Sequence, residues 1–395
     1  MKKKQYDICI VGGLGHVGLP LGIVFASKGI KVCLYDLNKD YMKIVMEGKL
    51  PFIEYGAQPL LNKALKNKTL SVSSKKSNIK KAKFVIVTIG TPVDQYLNPK
   101  TKQFLESIKE INVYLDSSQI IIIRSSIFPG CCEQIKNLLH RDEDPRHIAY
   151  CPERITQGYA VKELSQLPQI VSGFSDYAIN ESSRLFKKIT KQIVISNVKE
   201  AELVKLFSNS WRYIQFAISN QFYMISKDFG EDFNNIHRIM THGYERGKGL
   251  AKAGFAAGPC LLKDTMQLSV FNNNQFQLGQ AAMNINEGLP NYIVNNLRKE
   301  MDVNRKVIGI LGMAFKANVD DIRDSLSYKL RKILIFHGAK VICSDHYVNA
   351  PEMIDISELI EKSDLIIIGA PHNDYKDFDY KGKPIIDIWN LLGKD

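Results

Sequence analysis

The stretch YDICIVGGLGHVGLPLG, Tyr6 to Gly22, decides how the N-terminal part of this chain folds. A short apolar run gives way to Gly13, Gly15 and Gly18 in the pattern GxGxxG, and the residues that follow have the composition of a buried helix. A second apolar run, KVCLYD, ends in Asp36, 18 residues beyond the last glycine. Strand, glycine turn, helix and acid in that order predict a βαβ unit that binds a dinucleotide. The glycines allow a tight turn and a close approach of backbone to pyrophosphate, the helix N-terminus faces the phosphates, and the acid accepts hydrogen bonds from the adenosine ribose. A carboxylate there repels a 2′-phosphate, which favours NAD over NADP, while Lys39 nearby points the other way. Contacts to the cofactor are expected from Gly13, Gly15, His16, Val17, Gly18 and Asp36.

Working outward, the runs AKFVIVTIG, QIIIIRSS and HIAYCPE are further continuous apolar stretches separated by helix-sized segments, the signature of parallel strands buried on both faces. From about Asn197 to Lys299 the pattern changes to long helical stretches with apolar residues three and four apart, and after VNRKVIGILG the alternation of strands and helices resumes. The two ends form a rough internal repeat: ICIVGGLGHVG pairs with VIGILGMAFK, KVCLYDLN with KVICSDHY, and AKFVIVTIGTPVDQY with SDLIIIGAPHNDY. The fold class is therefore α/β, two Rossmann-like doubly wound domains joined by a helical central domain, with boundaries at 1–196, 197–299 and 300–395. Only the first copy keeps the glycine pattern. The second carries Lys316 and the run DDIRDS, so it is expected to hold a different anionic ligand.

Composition narrows the function classes. With 395 residues, 45% of them hydrophobic, the chain is long enough for two or three domains with real cores. Lysines precede an apolar run at the N-terminus, but Asp7 interrupts it and glycines end it, so it reads as a strand and not a signal peptide. No apolar run reaches the ~18 residues of a membrane span. The seven cysteines include no CxxC pair, which predicts a reducing, cytoplasmic location without a disulfide framework, and the eight histidines show no metal-ligand spacing. The net charge of +12 is spread along the chain and mixed with acids, which fits an anionic small substrate better than nucleic acid. The stretch GFAAGPCLLKDT sets Cys260 among small residues ahead of Lys263 and Asp264, and by itself leaves open whether the thiol is a nucleophile or a packing residue.

The chain resembles the UDP-glucose/GDP-mannose dehydrogenase family of nucleotide-sugar dehydrogenases. GLGHVGLPL, IGTPVD, RSSIFPG, CPERITQG, AELVKLFSNS, GFAAGPCLLKDT, LGMAFKANVDDIRDS and DIWN occur in the family's order over almost the whole chain. The resemblance implies an NAD domain, a helical dimerisation domain and a UDP-sugar domain, a homodimer, and a twofold oxidation of a sugar C6 alcohol to a carboxylate. It casts Cys260 as the nucleophile that forms a thiohemiacetal and then a thioester. Lys205 and Asn209, four apart on a predicted helix, match the family's donors to the developing oxyanion. Asp264 matches an aspartate that holds a water for proton transfer with Lys205, Glu153 the general base of thioester hydrolysis, and Ser126 a position where relatives commonly have threonine. Thr91 and Ser126 are cofactor contacts by the same resemblance, and Tyr150 and Arg124 line the cleft. Lys316 and Arg323 match nucleotide-contacting positions, and Arg246 an arginine that reaches the substrate across the dimer.

The cysteine loop departs from the pattern. Relatives acting on UDP-glucose or GDP-mannose read GGSC-x-PKD, and many acting on UDP-N-acetylhexosamines read GGHC-x-P-x-D, whereas here Ala257, Pro259 and Leu262 intervene. The substrate thus stays open between UDP-glucose and a UDP-N-acetylhexosamine. Two other readings stand beside it: an NAD-linked hydroxyacid-type dehydrogenase, and a non-catalytic nucleotide-sugar-binding protein.

Overall fold

The computed structural model describes residues 4–91, 93–94, 98–140 and 146–393. Its internal contacts divide the chain into two units, Met1–Phe207 and Ser208–Asp395, with the break inside one long helix.

The first unit starts with β1 (Tyr6–Val11), α1 (Gly18–Ser27), β2 (Val32–Tyr35), α2 (Lys39–Met46), α3 (Ala57–Lys66) and β3 (Leu70–Ser73). It continues through β4 (Ala82–Val87), α4 (Thr101–Asn112), β5 (Ile120–Ile123), α5 (Cys131–Leu139) and β6 (His147–Tyr150), then α6 (Ala160–Gln166), β7 (Gln169–Gly173), α7 (Asp176–Phe186) and β8 (Ile193–Ile195). The strands form one sheet in the order β3-β2-β1-β4-β5-β6-β7-β8, parallel except where β6 meets β7. Strand side chains alternate between the two faces, and β1 shows the result. Ile8 and Ile10 join a layer with Leu21, Phe25, Leu61 and Phe186, while Cys9 and Val11 join a layer with Phe104, Ile108, Cys132 and Ile135. Burial on both faces is why these strands read as unbroken apolar runs.

Helix α8 (Val198–Asp228) begins in this unit. Its buried Glu202 accepts hydrogen bonds from the amides of Gly130 (2.8 Å) and Cys132 (2.9 Å), satisfying the first turn of α5.

The second unit contains the remainder of α8, then α9 (Phe233–Thr241), α10 (Leu261–Phe271), α11 (Gln277–Glu300), β9 (Val307–Leu311), α12 (Leu326–Phe336), β10 (Lys340–Ser344), α13 (Ile356–Lys362), β11 (Leu365–Ile368) and β12 (Ile385–Ile386). Its sheet is wholly parallel, in the order β10-β9-β11-β12. The order β10-β9-β11 repeats β2-β1-β4 of the first unit, as the internal sequence repeat implies. Leu289, Ile293 and Leu297 of α11 and Leu326, Leu330 and Leu334 of α12 close one face of this sheet over Ile308, Ile310 and Ile367.

Because removing Glu202 leaves the buried Cys132 amide and the part-buried Gly130 amide without their acceptor, Glu202→Ala is expected to cost about 1–3 kcal/mol. Thermal unfolding followed by circular dichroism checks this, and an unchanged midpoint would contradict it.

Candidate functional site

In the first unit the glycine turn has the shape that a dinucleotide needs. A Cβ on Gly13 would lie 2.9 Å from Ile10 O and Leu34 Cα, and one on Gly18 would lie 2.4 Å from Gly12 O, so both positions are closed to side chains by the chain itself. Gly15 differs: its nearest neighbour would be Gly12 O at 3.7 Å, so its bare backbone leaves room for a ligand. No side chain caps α1 at Val17, and aligned helix N–H groups there favour an anion. Asp36 sits half-buried at the end of β2. Its Oδ2 accepts from Leu14 N (2.9 Å) and its Oδ1 from Leu37 N (2.7 Å) and Asn38 N (3.0 Å), which fixes the carboxylate and leaves acceptor capacity for ribose hydroxyls. The adjacent strands β1 and β4 mark the switch point of the sheet, where such ligands bind. The His16 ring meets that of Phe52 at a tilt, with centroids 4.0 Å apart, and Thr91 Oγ1 donates to Ser126 O, so the expected contacts Thr91 and Ser126 are brought together. The residues present thus fit NAD.

Farther along the same unit, Arg124 differs from its expected place along an open cleft, because it is 1% exposed. Its Nη1 donates to Cys151 O (3.2 Å) and Gln169 Oε1 (2.8 Å), its Nη2 donates to Glu153 Oε2, and its guanidinium lies 4.9 Å from the Phe186 ring. Glu153 Oε1 accepts from Arg154 N (2.7 Å) and Ile155 N (3.0 Å). A buried guanidinium needs a carboxylate, and a fixed strand-end turn needs an acceptor; Glu153 serves both. Tyr150 is buried as well.

The seven cysteines, five in the first unit and two in the second, separate by environment. Six are buried and Cys260 is exposed. Burial pushes the thiols of Cys131 and Cys151 up to about 12 and that of Cys343 up to about 11, and Cys132 is raised by the same cause. Cys9 and Cys33, opposite each other on β1 and β2, share a hydrogen bond that raises the first and lowers the second, but both are inaccessible. Cys260 stands at the N-cap of α10, where the helix dipole favours negative charge.

One turn into α10, Asp264 is completely buried and its Oδ2 accepts from Asn209 Nδ2 at 2.6 Å. Its other oxygen lies 3.5 Å from Lys263 Nζ, which supplies charge to an otherwise buried carboxylate. Lys205 is buried on the same helix as Asn209, one turn earlier.

The cysteine loop is clamped from two sides. Gly254, at φ +153°, passes under the Trp389 ring, where a Cβ would come within 2.2 Å. Gly258, at φ +99°, lies against Phe315, where a Cβ would come within 2.5 Å, and its amide donates to Asp324 O at 3.4 Å. Asn220 reads Gly254 in both directions, accepting from its N–H (2.8 Å) and donating to its carbonyl (3.0 Å), and its amide also donates to Asn286. Asn220 and Asn286 are buried supports of the cysteine loop that sequence reasoning missed. The available signal was the eleven-residue, three-turn spacing from Asn209 to Asn220 along one helix face.

Arg323 holds Asp321 through its Nε (3.0 Å to both oxygens) and Nη2 (2.6 Å), and more than half of its side chain remains exposed, within electrostatic range of Cys260. Lys316 Nζ lies 5.7 Å from the Phe315 ring. Arg246 is exposed and stacks on Tyr244 at 5.5 Å. Among the described residues no helix is long and apolar enough to cross a membrane, and no group of three or more His, Cys, Asp or Glu side chains is placed to hold a metal ion.

Comparison with known proteins gives three consecutive matches to models of the UDP-glucose/GDP-mannose dehydrogenase family: its NAD binding domain at residues 6–193, its central domain at 199–288 and its UDP binding domain at 309–394. A UDP-N-acetyl-D-mannosamine dehydrogenase of Methanocaldococcus jannaschii is 28% identical, covering 98% of this chain and 93% of that one. Protein CapL of Staphylococcus aureus is 25% identical, with 98% and 97% covered. A UDP-D-ManNAc dehydrogenase structure from Pyrococcus horikoshii superposes with a TM-score of 0.88 at 27% identity, covering 96% of this chain and 93% of that one. A UDP-glucose dehydrogenase from Pyrobaculum islandicum shares the fold, with a TM-score of 0.89 at 22% identity and 98% and 94% covered.

Two results are expected from these environments. Brief alkylation of the native protein with iodoacetamide labels Cys260 and spares the six buried thiols, as peptide mass spectrometry reads directly; rapid labelling elsewhere would contradict the assignment. Gly258→Ala, which pushes a methyl group into Phe315, is expected to lower NAD-linked turnover at least about tenfold, since a misplacement of ~1 Å can cost catalysis that much or more; unchanged turnover would contradict it.

Proposed function

The chain belongs to the UDP-glucose/GDP-mannose dehydrogenase family of NAD-dependent nucleotide-sugar dehydrogenases, and from that premise we propose that it oxidises the C6 alcohol of a UDP-N-acetylhexosamine, UDP-N-acetyl-mannosamine first, to the uronic acid by way of Cys260. The observation that carries this reading is the single exposed thiol, set at the head of α10 one turn from the buried Asn209–Asp264 pair. The substrate is supported by the names of the archaeal relatives, which are UDP-N-acetyl-D-mannosamine dehydrogenases.

The oxidising equivalents would come from two NAD molecules bound in turn in the first unit, each taking up one hydride from C6. The remaining chemistry belongs to the chain. Cys260 Sγ adds as thiolate to the C6 aldehyde, and the resulting hemithioacetal keeps a reactive intermediate from escaping. Loss of the second hydride leaves a thioester, and water displaces the sulfur to give the carboxylate and the free thiol. Asp264 engages one Nδ2 hydrogen of Asn209, which fixes the amide plane and leaves its second hydrogen for the substrate oxygen. Lys205, four residues earlier on α8, is the second donor to that oxygen, and Asp264 is the group that holds a water for proton transfer with it. Glu153 is the base for thioester hydrolysis, oriented by Arg124 and by the amides of Arg154 and Ile155. Ser126 positions water beside Thr91 in the cofactor-binding half. Lys316 and Arg323 contact the nucleotide.

We further propose a homodimer. Trp211, Ile218, Phe222 and Ile225 on α8 and Phe229 just past its end follow spacings of seven, four, three and four residues, and all five are exposed, Phe229 by 83%. Such a stripe of large apolar side chains is a surface for a partner helix, and the matching helix of a second copy covers it in kind. Arg246 would then serve the neighbouring subunit.

Purified protein supplied with NAD and a panel of UDP-sugars is expected to release two NADH per UDP-N-acetyl-mannosamine consumed, and Cys260→Ala to release at most one. No NADH from any panel member, despite NAD binding, would sink the proposal. Sedimentation equilibrium is expected to give twice 44.7 kDa for the native protein and 44.7 kDa for the Trp211→Glu, Ile225→Glu double variant. A native protein that sediments as a monomer would contradict the dimer.

A further inference from the structure

The two sheets end their second strands in the same way and then diverge. Asp345 follows β10 as Asp36 follows β2. Asp36 stays half-buried with three amide donors, whereas Asp345 is buried and engaged by five donors. Its Oδ2 accepts from Met313 N (2.6 Å), Ala314 N (2.9 Å) and His372 Nε2 (3.1 Å), and its Oδ1 from Tyr347 N (2.8 Å) and Val348 N (3.2 Å). Burial pushes its carboxyl up, but the hydrogen bond from His372, together with those from the Ala314 and Tyr347 amides, brings it below the usual carboxylate range. A carboxylate so engaged has no place for a ribose; it organises the protein instead.

His372 is completely buried between the rings of Tyr347 (4.7 Å) and Tyr375 (5.1 Å). Its Nδ1 accepts from the amide of Asn318 at 2.7 Å, so the proton of the neutral ring resides on Nε2 and points at Asp345. Asn318 has a left-handed backbone, φ +57°, and its Oδ1 accepts from Asn373 N at 3.0 Å. The segment 313–325 is therefore pinned at its start by Asp345 and at its middle by His372. That segment carries Lys316 and Arg323, and its Phe315 and Asp324 meet the cysteine loop at Gly258.

We propose that His372 is a positioning residue for nucleotide binding: its neutral imidazole, bridging Asp345 and the Asn318 amide, holds segment 313–325 in the conformation that receives the uridine diphosphate part of the substrate. The inference rests on the reading that this segment contacts the nucleotide. Nothing about the fold requires a histidine here, since Asp345 already has four amide donors without it. What the imidazole adds is a hydrogen-bond acceptor at the Asn318 amide, which apolar residues lack.

The test uses the full-length protein with UDP and NAD as separate probes, plus amide hydrogen exchange read by mass spectrometry. His372→Phe keeps a ring between the two tyrosines and loses both hydrogen bonds. It is expected to weaken UDP at least about tenfold in calorimetry, to leave NAD affinity within about twofold, and to speed exchange in 313–325 while residues 6–35 stay unchanged. His372→Gln, which retains one acceptor and one donor, is expected to recover part of the UDP affinity. Unchanged UDP affinity and exchange in His372→Phe would overturn the proposal, and so would a parallel loss of NAD affinity, which marks a general folding defect. Should the native protein bind no UDP, the nucleotide reading of the segment fails and the positioning proposal fails with it, whereas UDP binding that ignores the substitution overturns the role of His372 alone.

Discussion

The contact between Gly258 and the Phe315 ring is the constraint on which the chemistry of this chain depends. A nucleophilic thiol must be reachable and yet fixed, requirements that oppose each other in a loop built of Gly, Ala and Pro. The second unit meets both by pressing bare backbone against aromatic rings at Gly254 and Gly258 and tying Gly254 to the buried amide of Asn220. The loop is then held by contacts to which its own side chains contribute little, and Cys260 emerges from it directly into the first turn of α10. Because Phe315 belongs to the segment bearing Lys316 and Arg323, the residues assigned to the nucleotide and the thiol share one packed support.

Much of this was legible in the sequence because it is written in local patterns. The glycine turn, Asp36 and the unbroken apolar strands each obey a rule of spacing or burial, and the internal repeat reappears as the common order β2-β1-β4 and β10-β9-β11. Cys260 and Asp264 were visible through their motif. Other features depend on which residues meet across long separations, and spacing carries no such information. The Arg124–Glu153 pair is one: arginine at a strand end reads as a cleft residue until its burial against Phe186, Gln169 and the carboxylate is seen. Asn220 and Asn286 are another, polar residues at core-facing positions whose partners lie 34 and 73 residues away.

The repeat also shows how one architecture comes to hold two ligands. In the first copy the strand-end acid is held by neighbouring amides and keeps lone pairs for a ribose. In the second, the same acid is enclosed by Tyr347, Val348, Met313, Ala314 and His372, and its charge is spent on fixing a segment. Loss of the glycine pattern and burial of the acid act together: neither the pyrophosphate turn nor the ribose acceptor of a dinucleotide site survives in the second copy. The residues proposed to contact the nucleotide there, Lys316 and Arg323, stand on the segment that this buried acid fixes.

The central claim, that Cys260 carries the sugar as it is oxidised, is tested most directly by acid quenching of the enzyme during turnover with NAD and 13C-labelled UDP-N-acetyl-mannosamine, followed by peptide mass spectrometry. The account predicts a labelled acyl adduct on the peptide containing Cys260 and on no other cysteine. Turnover to the uronic acid without any such adduct, or with an adduct at a different residue, would contradict it.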